Sequence, residues 1–231
     1  VDPIHVRYHG YDVWEIPPNG QGIVALMALN TLEQLKTSNV HLRIEAIKQA
    51  FASAKHFVSD PQEMQIDPRS LLTTQYGKQC ARQIGLDQAK EYGPSDPATS
   101  GTVYLCAADQ AGNMVSMIQS NYMGFGSGIV VDGVSLQNRG ADFSLDEGHV
   151  NFLRPEKKTY HTIIPGFVTR QGQAVAAFGV MGGYMQPQGH VQVLEHWLNE
   201  LMDPQSSLDA PRWMWEKDLI VHVEEDMDES V

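Results

Sequence analysis

Apolar residues recur at helical spacing in three stretches of the first 85 positions. Ile23, Met27, Leu32 and Leu35 predict a helix that opens at Gly22. Ile44, Ile47, Phe51, Ala54 and Val58 form one stripe over His41–Val58, and Pro61 stops it. A third helix is predicted over about Leu71–Ile84. A stripe of this period lies on one face of a helix and marks the side that is buried. The first twenty residues, with His9-Gly10-Tyr11 and Pro17-Pro18-Asn19-Gly20, read as turn-rich. The small polar run 92–101, with two prolines, reads as an exposed, flexible loop.

The pattern changes at residue 102. Thr102–Ala108 and Met114–Ser120 predict two strands joined through Asp109–Asn113, and Ile129–Leu136 continues the strand pattern around Gly133. Gly166–Arg170 and Ala174–Val180 predict a second hairpin, turning at Gln171-Gly172. Val191, Leu194, Leu198 and Leu201 mark a helix that starts after Pro187-Gln188-Gly189. Asp209–Trp215 reads as a turn or short helix and Leu219–Glu224 as a closing strand. Helices first, then mainly antiparallel strands, then helix and strand predict an α+β fold, with helices layered on hairpin-built sheets.

Composition narrows the function classes. Sixteen Lys+Arg against twenty-eight Asp+Glu leave a net charge of −12 in 231 residues. A nucleic-acid backbone or an anionic membrane surface needs a basic stripe, so neither is expected as the main partner. An apolar fraction of 42% suits a folded core. No apolar run approaches the roughly 20 residues of a membrane helix. Cys80 and Cys106 are too few for a disulfide framework and favour a reducing compartment such as the cytoplasm. Cys106 reads as a packed thiol. The chain opens Val1-Asp2-Pro3, without initiator Met or signal peptide; a removed signal would leave no trace here, and the chain could equally be cut from something longer.

Several features carry no special chemistry. Trp197, Trp213 and Trp215, with Met202 and Met214, read as core and interface filling. No histidine pair has metal-ligand spacing with a matching carboxylate. Gly124-Phe125-Gly126-Ser127-Gly128 lacks the Lys-Ser/Thr of a phosphate loop. No metal or organic cofactor is therefore expected. The acidic run from Glu224 to Glu229 reads as a solvated end.

Gly101-Thr102 is different. A threonine can act as a nucleophile when its own free α-amine is the base, which requires the preceding bond to be cut. Glycine before it removes steric hindrance and tolerates strain. A threonine that merely opens a strand is the plain alternative.

The surrounding motifs extend the reading. Thr102 is followed by Asp109-Gln110-Ala111-Gly112-Asn113-Met114-Val115-Ser116 and then Phe125-Gly126-Ser127-Gly128. Upstream stand Tyr8-His9-Gly10-Tyr11-Asp12-Val13 and Pro17-Pro18-Asn19-Gly20-Gln21-Gly22; downstream stands Asp209-Ala210-Pro211-Arg212. Together these resemble the γ-glutamyltransferase family and its cephalosporin-acylase-like relatives over nearly the whole chain. The resemblance implies an N-terminal nucleophile hydrolase with an αββα core, of which this chain is the C-terminal portion. Residues 1–101 would be the end of the large subunit and 102–231 the small subunit.

The resemblance also implies roles. Thr102 matches the nucleophile and Ser120 the hydroxyl that hydrogen-bonds it. Gly182 and Gly183 match the oxyanion-hole pair. Asn121 resembles the substrate-contacting Asn, although strict spacing puts Tyr122 there. Asp142, in Leu136-Gln137-Asn138-Arg139-Gly140-Ala141-Asp142-Phe143, matches the carboxylate that binds a γ-glutamyl α-ammonium; it could equally cap a turn. Arg139 stands where transpeptidases have Gln, and Ala141 replaces an Asp. Arg139 would suit an acyl carboxylate, or pair with a neighbouring acid. His161 and Thr162 replace the Ser-Ser pair that holds the substrate α-carboxylate. Tyr184 would shape an acyl pocket or fill core.

The implied activity is hydrolysis or transfer of a γ-glutamyl or glutaryl-like amide, with the departures leaning away from glutathione. The expected partners are a small-molecule amide and the earlier part of the large subunit; association with a second copy is a further expectation. The competing expectation is a catalytically silent binding or scaffolding domain.

Overall fold

The structure is a computed structural model, and it describes residues 1–35, 37–92 and 101–228. The loop expected at 92–101 lies mostly outside them. The chain opens with a hairpin, β1 (Ile4–Tyr8) against β2 (Tyr11–Glu15). This corrects the turn-rich reading of residues 1–20. Ile4, Val6 and Tyr8 alternate inward with Val13 and Glu15. Each strand is only five residues long, so the turn residues around them dominated the sequence signal. His9 and Gly10 both have positive φ, 45° and 83°, as a two-residue hairpin turn needs.

Three helices follow, α1 (Gly22–Gln34), α2 (Val40–Phe57) and α3 (Thr74–Gln83), the last preceded by a 3-10 turn at Pro68–Leu72. All three helices expected from the apolar periodicity form. Every residue from Gly22 to Leu32 is buried, so α1 is enclosed on all sides rather than striped. The Asn39 side chain caps α2 by accepting from Leu42 N–H.

β3 (Thr102–Ala108) and β4 (Met114–Ser120) pair with the expected bounds. β5 (Val130–Val131) and β6 (Val134–Ser135) make a short hairpin around Asp132-Gly133. β7 (Gly166–Arg170) and β8 (Gln173–Phe178) turn at Gln171-Gly172, as expected. The main sheet has the order β1-β2-β7-β8, entirely antiparallel, so it draws strands from both sides of residue 101. Its apolar face, with Ile4, Val6, Tyr8, Val13 and Val168, packs in one core with α1, α2 and α4 (Met185–Leu194).

α4 starts four residues before Gly189, earlier than the sequence suggested. Pro187 sits in its first turn, where a missing N–H leaves no hydrogen bond unmade. A π-type turn at Glu195–Asn199 extends it. α5 (Pro204–Asp209) leads to β9 (Trp213–Lys217), paired with β10 (Ile220–Val223). Asp209–Trp215 is thus not one turn or helix: it ends α5 and enters a strand. The alternating positions Trp213 and Trp215 face the core, 2% and 4% exposed. Glu224 is exposed, as expected of a solvated end, and its carboxylate accepts from Arg212 N–H at 2.9 Å.

Buried ionisable pairs tie elements of the core together. His190 Nδ1 lies 2.6 Å from Glu15 Oε1, joining α4 to β2. Arg43 Nε meets Glu195 at 2.9 Å, joining α2 to the π-type turn. The β3–β4 hairpin is less enclosed. Tyr104 lies against Gly179, and Ser116 Oγ donates to the Phe178 carbonyl at 3.3 Å. On the other face Val103, Leu105, Val115 and Met117 are exposed. Cys106 is exposed too, not packed as expected, because nothing among the described residues closes over that end of the hairpin. Cys80 is buried, and both thiols are free.

Candidate active site

Thr102 opens β3 directly across from Ser120, the last residue of β4. The Ser120 hydroxyl donates to the carbonyl oxygen of Gly101 at 3.0 Å and accepts the Tyr122 N–H at 2.8 Å. Tyr122 has a φ of 77°, a left-handed conformation that a bulky side chain seldom adopts. That sharp bend carries its ring away from the strand and into the interior, where it is 3% exposed.

Two opposite charges stand on Tyr122. The Arg139 guanidinium lies over the ring, 5.4 Å from its centroid. The hydroxyl donates to Asp142 Oδ1 at 2.6 Å. Arg139 and Asp142 bound the same 3-10 turn, yet no ion pair joins them. Arg139 instead donates through Nη1 to Thr162 Oγ1 at 3.0 Å and through Nη2 to the Ser120 carbonyl at 3.3 Å. Burial pulls the Arg139 pKa down and Asp142 partly restores it. A guanidinium stays charged regardless.

Asp142 is held by hydroxyls. Tyr184 also donates to Oδ1, at 3.1 Å, while Oδ2 is buried without a hydrogen-bond partner among the described residues. Burial raises the Asp142 pKa, against the lowering effects of Tyr122, Tyr184 and Arg139. The same desolvation and the nearby carboxylate push both tyrosines far above the usual phenol range. Asn151, itself 3% exposed, donates to the Asp142 carbonyl at 2.8 Å and accepts from Tyr160 N–H at 3.2 Å. Tyr122, Asp142, Tyr160 and Tyr184 share a cavity of about 670 Å³ with Phe51 and Lys55.

The glycine pair sits just before α4. Gly182 has a φ of 111° and Gly183 of 59°, both favouring glycine. Their carbonyls accept from Met185 and Gln186 N–H. Their own N–H groups meet no acceptor among the described residues and lie at the positive end of a helix dipole. Gln21 spans from here to Thr162: its Nε2 donates to the Gly183 carbonyl at 2.8 Å and to the Thr162 carbonyl at 2.5 Å. His161 is fixed through its backbone, donating to the Asn19 carbonyl and accepting from Gln21 N–H. Burial, and then the Arg139 charge, lower its pKa to about 4, so its ring is neutral at pH 7.

A continuous path therefore links the residues singled out in the sequence: Thr102, Ser120, Arg139, Thr162, then Gly183 through Gln21. Tyr184, next in the chain, closes it onto Asp142. Asn121 contributes its carbonyl, accepting from Asn138 N–H at 3.1 Å, whereas Tyr122 contacts Asp142. Strict motif spacing had pointed to that position. Gln21 stood inside a quoted motif without a role, and Asn151 carried no signal at all. Among the described residues no group of three His, Cys, Asp or Glu could hold a metal, and no helix is long and apolar enough to cross a membrane.

Comparison with known proteins places the chain in a family. The family model described as gamma-glutamyltranspeptidase matches residues 1–231. The chain is 38% identical over 223 residues to a glutathione hydrolase-like YwrD proenzyme of Bacillus subtilis, covering 92% of this chain and 42% of that protein. It is 33% identical to an oxamate amidohydrolase proenzyme of Klebsiella pneumoniae, again over 92% of this chain and 42% of that one. A cephalosporin acylase from Bacillus halodurans superposes with a TM-score of 0.90 at 46% identity, over all of this chain and 44% of its own. The chain thus spans less than half the length of these relatives. It belongs to the gamma-glutamyltranspeptidase family and carries part of that family's N-terminal nucleophile hydrolase fold.

Proposed function

We propose that this chain carries the nucleophile of a self-cleaving amide hydrolase or acyltransferase, with Thr102 as the attacking residue. The observation that carries the reading is the Ser120 hydroxyl donating to the Gly101 carbonyl directly beside Thr102. That hydrogen bond polarises the carbonyl which Thr102 must attack. Thr102 Oγ adds to the Gly101 carbonyl carbon, the C–N bond breaks, and the threonine nitrogen takes the proton, leaving an ester. Water cleaves the ester, giving a Gly101 carboxylate and a Thr102 with a free α-amine.

In the mature enzyme that amine accepts the Oγ proton as Oγ attacks a substrate amide. The Gly182 and Gly183 N–H groups hold the oxyanion, and α4 adds its dipole. The leaving amine departs with the proton, and water or an amine acceptor takes the acyl group from Thr102.

The acyl group is a glutaryl-like chain ending in a carboxylate, in preference to γ-glutamyl. Asp142 Oδ1 already accepts two tyrosine hydroxyls, and Oδ2 is enclosed. It is poorly placed to take an α-ammonium as well. Arg139, with donors to spare and a buried charge beside Thr162, favours an anionic acyl terminus. Tyr184 forms part of the pocket wall beside Asp142. The names of the relatives cover glutathione-like, oxamate and cephalosporin amides, which fits a shared reaction with a variable acyl pocket. The remainder of the large subunit is the partner that covers Val103, Leu105, Val115 and Met117.

The test compares glutaryl and γ-glutamyl anilides on the purified full-length protein and on Thr102→Ala. The wild type should prefer the glutaryl substrate and the variant should hydrolyse neither. Full activity in Thr102→Ala rules the assignment out.

A further inference from the structure

We infer that Gln21 is a positioning residue for the oxyanion-binding glycines, resting on the reading of Gly182 and Gly183 just given. A Gly-Gly loop reaches unusual φ angles because it has no side chains, and for the same reason it has nothing of its own to hold it still. The φ values of 111° and 59° orient two N–H groups only while the neighbouring peptide planes stay fixed. Gln21 supplies the fixing from outside. Its side chain is 0% exposed, and its amide nitrogen uses both protons on carbonyls from separate segments, Gly183 at 2.8 Å and Thr162 at 2.5 Å. The Gly183 carbonyl also accepts from Gln186 N–H at 3.1 Å, so two donors from different directions pin the plane that follows the candidate donor.

Gln21 is itself locked. Its backbone N–H donates to the His161 carbonyl at 2.8 Å, the Asn19 carbonyl takes the His161 N–H at 2.9 Å, and the Asn19 side chain donates to the Thr159 carbonyl at 2.6 Å. Pro17–Gly22 therefore acts as a bracket at the start of α1, reaching across to the loop that starts α4. This gives the quoted Pro17-Pro18-Asn19-Gly20-Gln21-Gly22 motif a physical purpose. The Gln21 side-chain oxygen Oε1 is buried with no hydrogen-bond partner among the described residues. An amide that leaves one end unsatisfied is there for its donors.

Gln21 touches no reacting atom, so its loss should weaken transition-state binding and spare the ground state. The experiment uses the full-length protein with Gln21→Met, which keeps length without donors, and Gln21→Glu, which keeps shape and replaces the donor by an acceptor. Two probes are compared: a boronic acid that forms a tetrahedral adduct with the nucleophile, and the product carboxylate. Both variants should lower kcat by about 10- to 100-fold with KM within about threefold. Boronate affinity should fall by the same factor as kcat, with carboxylate affinity nearly unchanged. If both variants bind boronate like the wild type, or lose boronate and carboxylate affinity equally, the Gln21 assignment is overturned while the Thr102 reading stands. A wild type that is neither cleaved nor boronate-reactive overturns both.

Discussion

The glycine side of the site and the Asp142 side are made of different materials. In the proposed site the working groups at Gly182-Gly183 are backbone N–H donors, held by a neutral amide and by the start of a helix. At Asp142 they are side chains, two charges separated by a tyrosine ring and satisfied by hydroxyls. Backbone donors serve any amide, since every substrate passes through the same oxyanion. Side chains read what is attached to it. The first side should therefore tolerate almost no change in any acylase of this kind, and the second should be where one amide is exchanged for another.

The largest expected effect lies on the glycine side. A Cβ on residue 182 would stand 3.1 Å from the Met185 Cβ, at a φ of 111° that side chains avoid. Gly182→Ala should cut kcat by about 10²- to 10³-fold on every substrate. Steady-state kinetics on glutaryl and γ-glutamyl anilides checks this; a loss confined to one substrate would erase the contrast between the two sides.

Next comes Arg139. Replacing it by Gln removes a charge-assisted donor worth about 1.5–3 kcal/mol, or about 10- to 100-fold. Arg139→Gln should shift kcat/KM by that factor toward γ-glutamyl amides. A ratio within about twofold of wild type would mean that Arg139 serves only Thr162 and the Ser120 carbonyl.

Asp142 should behave unlike an ammonium-binding carboxylate. Asp142→Asn keeps the shape and disturbs the two tyrosines, so both substrates should slow alike, with their ratio within about threefold. A buried ion pair with substrate would cost the γ-glutamyl amide alone about 2–5 kcal/mol.

How far the sequence disclosed all this depends on the kind of contact. Hairpin turns such as Gln171-Gly172 and the apolar stripe of α2 are local, and both were legible. β1 and β2 were not: their inward residues are three and two, and partners 153 to 157 positions away, in β7, complete the sheet. Motif spacing singled out Thr102, Ser120, Arg139 and Asp142 as candidates. It could not say that Arg139 and Asp142 would sit on either side of Tyr122 instead of pairing. The contacts of Gln21, and most of those of Asn151, are to backbone carbonyls and N–H groups, which leave almost no mark on the partner's identity.

The smallest effect concerns pH. The His161 pKa is lowered to about 4 from an ordinary 6.5. Between those values the unfolded chain binds a proton that the folded one refuses, so stability falls as pH drops from 6.5 toward 4. His161→Asn in the full-length protein should flatten that slope, seen as a smaller Tm difference between pH 7 and pH 5. Parallel pH profiles for wild type and variant would show that His161 takes up its proton as readily when folded.

The central claim is that Thr102 becomes an N-terminus. Intact-mass measurement with N-terminal sequencing of the purified full-length protein tests it most directly. The account predicts two polypeptides, the shorter beginning Thr102-Val103-Tyr104, and a single uncut chain for Thr102→Ala. One unbroken wild-type chain, or cleavage that survives Thr102→Ala, would contradict it.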